Sequence, residues 1–373
     1  MNKKDLNNKI FITILVLISC FFMIFTFRNS RYVNLVDNRQ AYRFSMPTMK
    51  SLISGEYQDS IDETIADQLP KYNYFKLLYL KIVNYTNIKT INLLDLNKPN
   101  EYVKLSNIYL YNDYLLYGTE YDKDINNFIK ETNNLIDNTD SNVYLYFINT
   151  DLNHNFKTGE LTDTFNNIKN SVKTNNIDSL KYDSFDEYKE YFYKTDHHWN
   201  YKGAYKGYTD IANLMNLDTP KIKDTICVNK FFNGSKFRDI AGLKIINDET
   251  CVYDFDLPEF DIYISGEKAD DYGSPIGKLD QTNEITYAYL YGADYDEIIF
   301  INKEINSDKS LLIYSNSYSN AINKLLASNY KKTFVIDGRH YNGESMIDYI
   351  KDKKIDDVII ISNNVLLSDN INW

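Results

Sequence analysis

Thr195-Asp196-His197-His198-Trp199-Asn200 holds two of the four histidines and one of the two tryptophans in this chain. An acidic residue two positions before a histidine brings both side chains near one place in an extended or loop segment. A carboxylate beside an imidazole fixes its tautomer and stabilises the imidazolium, as a general base requires. Such a base needs a hydroxyl to activate, because a free serine is a poor nucleophile at neutral pH. Ser317 offers one. It lies in the polar stretch Ser315–Asn320, between the apolar run Ser310–Tyr314 and a helical pattern starting at Ala321. A serine at a strand-to-helix turn is projected from a sheet, and its own N–H can help bind an oxyanion. Read this way, Asp196 orients, His198 is the base and Ser317 is the nucleophile of an acyl-transfer triad. Asn149 and Asn363, each just past an apolar run, are candidates for a second oxyanion donor or for capping and turn roles. A metal held by His197 and His198 is disfavoured, since neighbouring residues on a strand point to opposite faces. No cofactor and no metal are expected. His154 and His340 have no motif around them and are assigned to loops or surface.

The elements that must carry these residues are clearest near the C-terminus. Apolar runs at Ser310–Tyr314, Thr333–Ile336 and Val358–Ile361 read as strands, with helices at Ala321–Ala327 and Ser345–Lys351 between them. Val143–Ile148 adds a buried strand, Phe165–Val172 and Gly203–Met215 add helices, and residues 174–195 are polar. Strands alternating with helices predict a parallel sheet with helices on both faces and ligands at the carboxyl ends of the strands. Residues 220–300 differ. Their short β-like runs (Ile262–Ile264, Thr286–Tyr291, Ile298–Phe300) read as a β-rich insertion. Nearer the N-terminus, Ser51–Leu69 predicts an amphipathic helix ended by Pro70, and Tyr72–Asn84 another helix.

Residues 10–27 are apolar apart from Thr13, Ser19, Cys20 and Thr26, which is near the lower length limit for spanning a bilayer. With no small-x-small cleavage site, an uncleaved single-pass signal anchor is expected. Residues 1–9 would then be cytoplasmic, 28–50 a linker, and 51–373 an extracytoplasmic catalytic domain. Leu17-Ile18-Ser19-Cys20 resembles a lipoprotein box, but the apolar run continues past the cysteine. Cys227 and Cys251 would face an oxidising space; they can close a loop worth roughly 3 kcal/mol of unfolded-chain entropy, or stay as thiols. The net charge of −11 argues against a nucleic-acid partner. Most of the 34 tyrosines read as core, although exposed aromatics would suit sugar stacking.

The string Thr195–Asn200, TDHHWN, resembles the signature of the DHHW family of bacterial surface proteins, which is similar to the alginate O-acetyltransferases with their Asp-x-His-Trp pattern. The nucleophile segment of those proteins resembles Gly-Asp-Ser-Tyr-Ser; here it stands as Ser315-Asn316-Ser317-Tyr318-Ser319. Asp37-Asn38-Arg39, Pro47, Ser54-Gly55-Glu56-Tyr57 and Asp67-Gln68-Leu69-Pro70 follow the same order. The resemblance implies an SGNH-hydrolase-like α/β fold in which the Asp-x-His element precedes the serine. By position it assigns the triad to Asp196, His198 and Ser317, and leaves His197 outside it. It implies an O-acetyltransferase acting on hydroxyls of a cell-surface polysaccharide, with a membrane-bound O-acyltransferase as acetyl donor. Ser315 stands where the family usually has Gly, and Asn316 where it has Asp. Those departures motivate the alternatives: a non-catalytic polysaccharide-binding or scaffold subunit, or a deacetylase in which water is the acceptor.

Overall fold

The computed structural model describes residues 3–28, 33–34, 39–40, 42–43, 46–93, 100–105, 107–240, 247–273 and 284–368. Asp37 and Asn38, part of the expected 28–50 linker and part of the expected 220–300 insertion lie outside them. The chain forms two compact units. One comprises Met1–Thr90 with Arg238–Leu243, the other Ile91–Phe237 with Lys244–Trp373.

In the first unit a helix runs over Lys3–Arg28, and Leu6–Thr26 is long and apolar enough to cross a membrane. The Ser19 and Thr26 hydroxyls bond back to the carbonyls of Leu15 and Phe22, which satisfies these polar groups within an apolar helix. The helix expected over 51–69 is two helices, Met49–Ser54 and Glu56–Gln68. Gly55 breaks it at φ 85°, a left-handed position that favours glycine. Thr48 and Ser51 cap the first piece reciprocally. Asp67 and Gln68 close over residue 42: Asp67 Oδ2 accepts from the Tyr42 N–H at 2.7 Å, and Gln68 donates to the Tyr42 carbonyl at 2.7 Å. The next helix extends past Asn84 to Leu93.

The second unit is built on an eight-stranded sheet. In chain order its strands are β1 (Asn142–Ile148), β2 (Ile177–Leu180), β3 (Phe260–Ile264), β4 (Glu267–Ala269), β5 (Glu297–Asn302), β6 (Ser310–Ser315), β7 (Lys332–Asp337) and β8 (Asp357–Ser362). The spatial order is β4-β3-β5-β7-β6-β8-β1-β2. From β7 to β2 every pair is parallel. β3, β4 and β5 join antiparallel. The expected parallel sheet is therefore a mixed one, and the expected insertion supplies its antiparallel end. Burial explains the division. Every residue of β6 and β8 is buried, as interior parallel strands require, whereas β5 alternates between buried and half-buried.

Alternate residues of the parallel strands feed two cores. Leu312, Tyr314, Val358 and Ile360 pack with helices Asn126–Asn138 and Met346–Lys353; Leu311, Ile313, Ile359 and Ile361 pack toward helix Tyr201–Met215. Several local readings change. Thr286–Tyr291, expected as β-like, is a short helix over Tyr287–Tyr291 capped by the Thr286 hydroxyl. The polar residues 174–195 contain β2 and a helix, Phe185–Tyr191. His154 is buried between the rings of Phe156 and Tyr182, and burial lowers its pKa. Cys227 and Cys251 form a disulfide across the antiparallel ribbon Ile222–Val228/Thr250–Phe255.

Candidate active site

Ser317 opens a 3₁₀ turn, Ser317–Ala321, at the carboxyl end of β6. Asn316 sets this turn. Its Oδ1 accepts from the Tyr318 N–H at 3.2 Å, and its Nδ2 donates to Asn363 Oδ1, just past β8, at 3.1 Å. Ser315 remains in the strand with negative φ, and its buried hydroxyl donates to the Ile361 carbonyl at 3.0 Å. Its side chain is thus committed to the sheet.

The acidic–imidazole segment comes from a different part of the fold. The chain leaves helix Phe185–Tyr191, turns sharply and starts helix Tyr201–Met215. Phe192 bridges Trp199, and the Asn200 N–H donates to the Tyr191 carbonyl at 2.8 Å, so residues 193–198 form a closed excursion. Asn200 caps the second helix through its side chain. Trp199 is fully buried against Gly207, where a Cβ would come within 2.5 Å of its ring.

The two segments meet. His198 Nε2 lies 2.8 Å from Ser317 Oγ, and His198 Nδ1 lies 2.6 Å from Asp196 Oδ1. Asp196 also accepts from the His198 N–H at 2.9 Å and, through Oδ2, from the Ser235 N–H at 2.7 Å. Burial alone would raise the Asp196 carboxyl. The facing His198 ring, its hydrogen bond and the nearby His197 outweigh that, and hold it well below the usual carboxylate range. Ionised, Asp196 can only accept, so Nδ1 of His198 carries the proton and Nε2 is left to accept from the serine. The His198 ring stacks on Tyr287 at 3.7 Å and 1°, a face that stabilises a developing imidazolium.

Outer partners hold this arrangement. Trp199 Nε1 donates to Tyr287 Oη at 3.1 Å, Tyr287 donates to the Tyr318 carbonyl at 3.3 Å, and Tyr318 Oη donates to the His197 carbonyl. Burial pushes the Tyr287 and Tyr318 hydroxyls well up, so they stay protonated donors. Asp248 accepts from the N–H groups of Lys194 (2.5 Å) and Thr195 (2.9 Å) and from the Thr195 hydroxyl. Burial first, and the charge of Asp196 last, push its carboxyl up to about 6 against those three donors. Gly234 permits the backbone contact behind it, since a Cβ there would meet the Thr195 carbonyl at 2.1 Å.

His197 turns aside from the serine, with Nδ1 2.6 Å from Ser235 Oγ. Of the two asparagine candidates, Asn149 donates its amide to the Leu180 carbonyl at 2.9 Å, which ties β1 to β2. Asn363 is wired to the Ser317 turn through Asn316, and its Oδ1 also accepts from the N–H groups of Val365 and Leu366. Sequence reading missed Tyr287, Ser235, Asp248 and the fully buried pair Lys236–Asp151 (2.6 Å). Tyr287 had no signal among 34 tyrosines. The local signal nearest these residues was Asn233-Gly234-Ser235, a turn-like string with no chemistry of its own.

No family model and no curated protein matches the sequence. Solved structures do. The chain is similar to Bacillus cereus PatB1 carrying a sulfonyl adduct, at 22% identity over 70% of this chain and 95% of that one, with TM-score 0.54. It is equally similar in fold to a DHHW family protein from Eubacterium siraeum, at 16% identity over 73% and 94% of the two chains, with TM-score 0.54. The resemblance read from Thr195–Asn200 is thus matched by a likeness of fold.

Proposed function

We propose that the protein is an extracytoplasmic O-acetyltransferase that acetylates hydroxyls of a cell-surface polysaccharide through an acetyl-serine at Ser317. The observation that carries this reading is the unbroken chain Asp196–His198–Ser317, with contacts of 2.6 and 2.8 Å. His198 Nε2 takes the Ser317 proton as Oγ attacks the acetyl carbonyl carbon. Asp196 and the Tyr287 face steady the imidazolium. In this reading the Ser317 N–H, at the head of its turn, binds the oxyanion, with Asn363 as the second amide donor. Collapse expels the donor oxygen, which takes the proton back from His198. In the second half a sugar hydroxyl gives its proton to His198 and attacks the acetyl carbon; the bond from that carbon to Ser317 Oγ then breaks, and Oγ takes the proton back from His198.

Three features support the location and partners. The N-terminal helix is long enough for an anchor, and the Cys227–Cys251 disulfide suits an oxidising space. The resemblance to the DHHW family implies a membrane-bound O-acyltransferase as acetyl donor. In this reading residues 1–9 are cytoplasmic, 10–27 span the membrane, 28–50 link, and 51–373 form the catalytic domain with its insertion at about 220–300.

The test uses 4-nitrophenyl acetate and intact-mass spectrometry. Wild-type protein should gain one acetyl group, mapped to Ser317, and Ser317→Ala should gain none. A sulfonyl fluoride should block the same residue. Acetylation elsewhere, or none in folded protein, would remove the catalytic reading. Transfer to oligosaccharide hydroxyls in preference to water separates a transferase from a deacetylase.

A further inference from the structure

A cavity of about 260 Å³ opens beside the triad without including any of its three residues. Three of the segments that wall it are tied to the site or to the disulfide. Tyr201 and Tyr205 lie on the first turns of the helix that follows His198-Trp199-Asn200. Tyr253 and Phe255 lie on the ribbon strand stapled by Cys227–Cys251. Asn320 lies on the turn that Ser317 opens. Tyr291 forms the inner wall, its ring 4.9 Å from Tyr287, which itself stacks on His198. The rings of Tyr291 and Tyr287 therefore separate the cavity from His198.

Six aromatic rings dominate the lining, with Leu257 and Leu325 as its larger aliphatic members. Tyr201 and Tyr253 pack edge to face at 4.8 Å, and Tyr205 meets Tyr253 and Phe255 at 5.5 and 5.8 Å. All four rings are only half-buried, so they hold one another upright and keep faces open. An acyl chain favours aliphatic walls. A sugar ring offers an apolar C–H face to an aromatic ring and hydroxyls at its edge to polar groups, and tyrosine serves both. The polar edge is present in Asn320, held by the Gly292 carbonyl and Asp294, and in Asp254. Lys324 also lines the cavity, but it is paired with Asp271 at 2.8 Å. With Asp254 in the wall and −11 net charge on the chain, the cavity opposes a uronate.

We propose that this cavity is a subsite for one ring of a neutral glycan, flanking the unit whose hydroxyl reaches Ser317. The inference rests on the transferase reading for its purpose and on the cavity alone for its binding. The test titrates the full chain in detergent with cellopentaose, with the pentamer of N-acetylglucosamine and with an oligouronate, and in parallel follows acetylation of Ser317 by 4-nitrophenyl acetate. One neutral oligomer or both should bind and the oligouronate should not. Tyr253→Ala should weaken binding about tenfold, the value of one lost aromatic contact. It should leave the acetylation rate within about twofold of wild type. Leu257→Trp, which fills the cavity from its half-buried wall, should abolish binding if the alanine variant misfolds. Binding of neither neutral oligomer, preference for the oligouronate, or undiminished binding in both variants would overturn the subsite. Sugar binding without acetylation in wild type would instead sink the transferase reading and leave the subsite in place.

Discussion

The two halves of the candidate site are held in place in opposite ways. The Asp196–His198 half is a loop excursion braced mostly by side chains from distant segments: the Asp248 carboxylate on its backbone, the Ser235 N–H on Asp196, the Tyr287 ring on the His198 ring and the Tyr318 hydroxyl on the His197 carbonyl. The Ser317 half is set mainly by main chain, at the end of a fully buried strand with Asn316 and Asn363 as its side-chain link. A loop has no ladder to fix it, so its backbone donors and carbonyls are tied by side chains. A strand inside a parallel sheet needs little further help. The Asp196–His198 half should therefore be sensitive to remote substitutions, and the Ser317 half to changes at the turn itself.

Removing the reacting groups gives the largest effect. Ser317→Ala should lower acetyl-ester turnover by about 10³-fold or more, and Asp196→Asn by about 10⁴-fold at neutral pH, each with an unchanged circular dichroism spectrum. If Asp196→Asn turned over ester at the wild-type rate, the base would have to lie elsewhere.

Lys236→Met tests the bracing of the Asp196–His198 half from a distance. It strands the buried Asp151 carboxylate, which otherwise meets Lys236 and the Tyr117 N–H. The expected cost is about 3–5 kcal/mol in urea unfolding. Because Lys236 adjoins Ser235, kcat should fall in folded protein while KM for a small ester stays level. A double variant, Lys236→Met with Asp151→Leu, should regain most of the stability.

Asp248 gives the pH dependence. Its folded carboxyl is raised to about 6 from an ordinary 3.8, so the native state binds its proton more tightly than the unfolded chain. The stability it contributes is complete below the unfolded value and is lost as pH rises through the folded value. The excess of wild-type unfolding free energy over Asp248→Asn should shrink between about pH 4 and 7. Asp196, held low, acts oppositely and is lost only in strong acid.

The smallest effect is expected at the turn. Asn316→Asp installs the residue usual in the DHHW family, but places a carboxylate against Asn363 Oδ1. Ester turnover should fall about two- to fivefold, the scale of one weakened hydrogen bond. A gain would mean that Asn363 rotates its amide to donate to the new carboxylate, and would remove Asn363 as the second oxyanion donor.

Local pattern carried much of this molecule. The apolar runs of β1, β6, β7 and β8 are nearly continuous because interior parallel strands are buried on both faces, and that run length is visible in one dimension. Asp196 and His198 were legible together because only one residue separates them, and Ser317 because it follows such a strand. The antiparallel end of the sheet was not legible: β5 alternates, and alternation does not say which neighbour it pairs with. Gly55, a single residue in an otherwise helical stretch, hid the break between two helices. Tyr287 was misplaced as β-like, and its part in the site follows from contacts with Trp199, His198 and Tyr318, made across a fold that short-range pattern does not encode. Residue types and spacing determined which groups could do acyl chemistry. The tertiary structure decided which of them meet, because the 2.8 Å contact of His198 with Ser317 depends on packing between segments 119 residues apart.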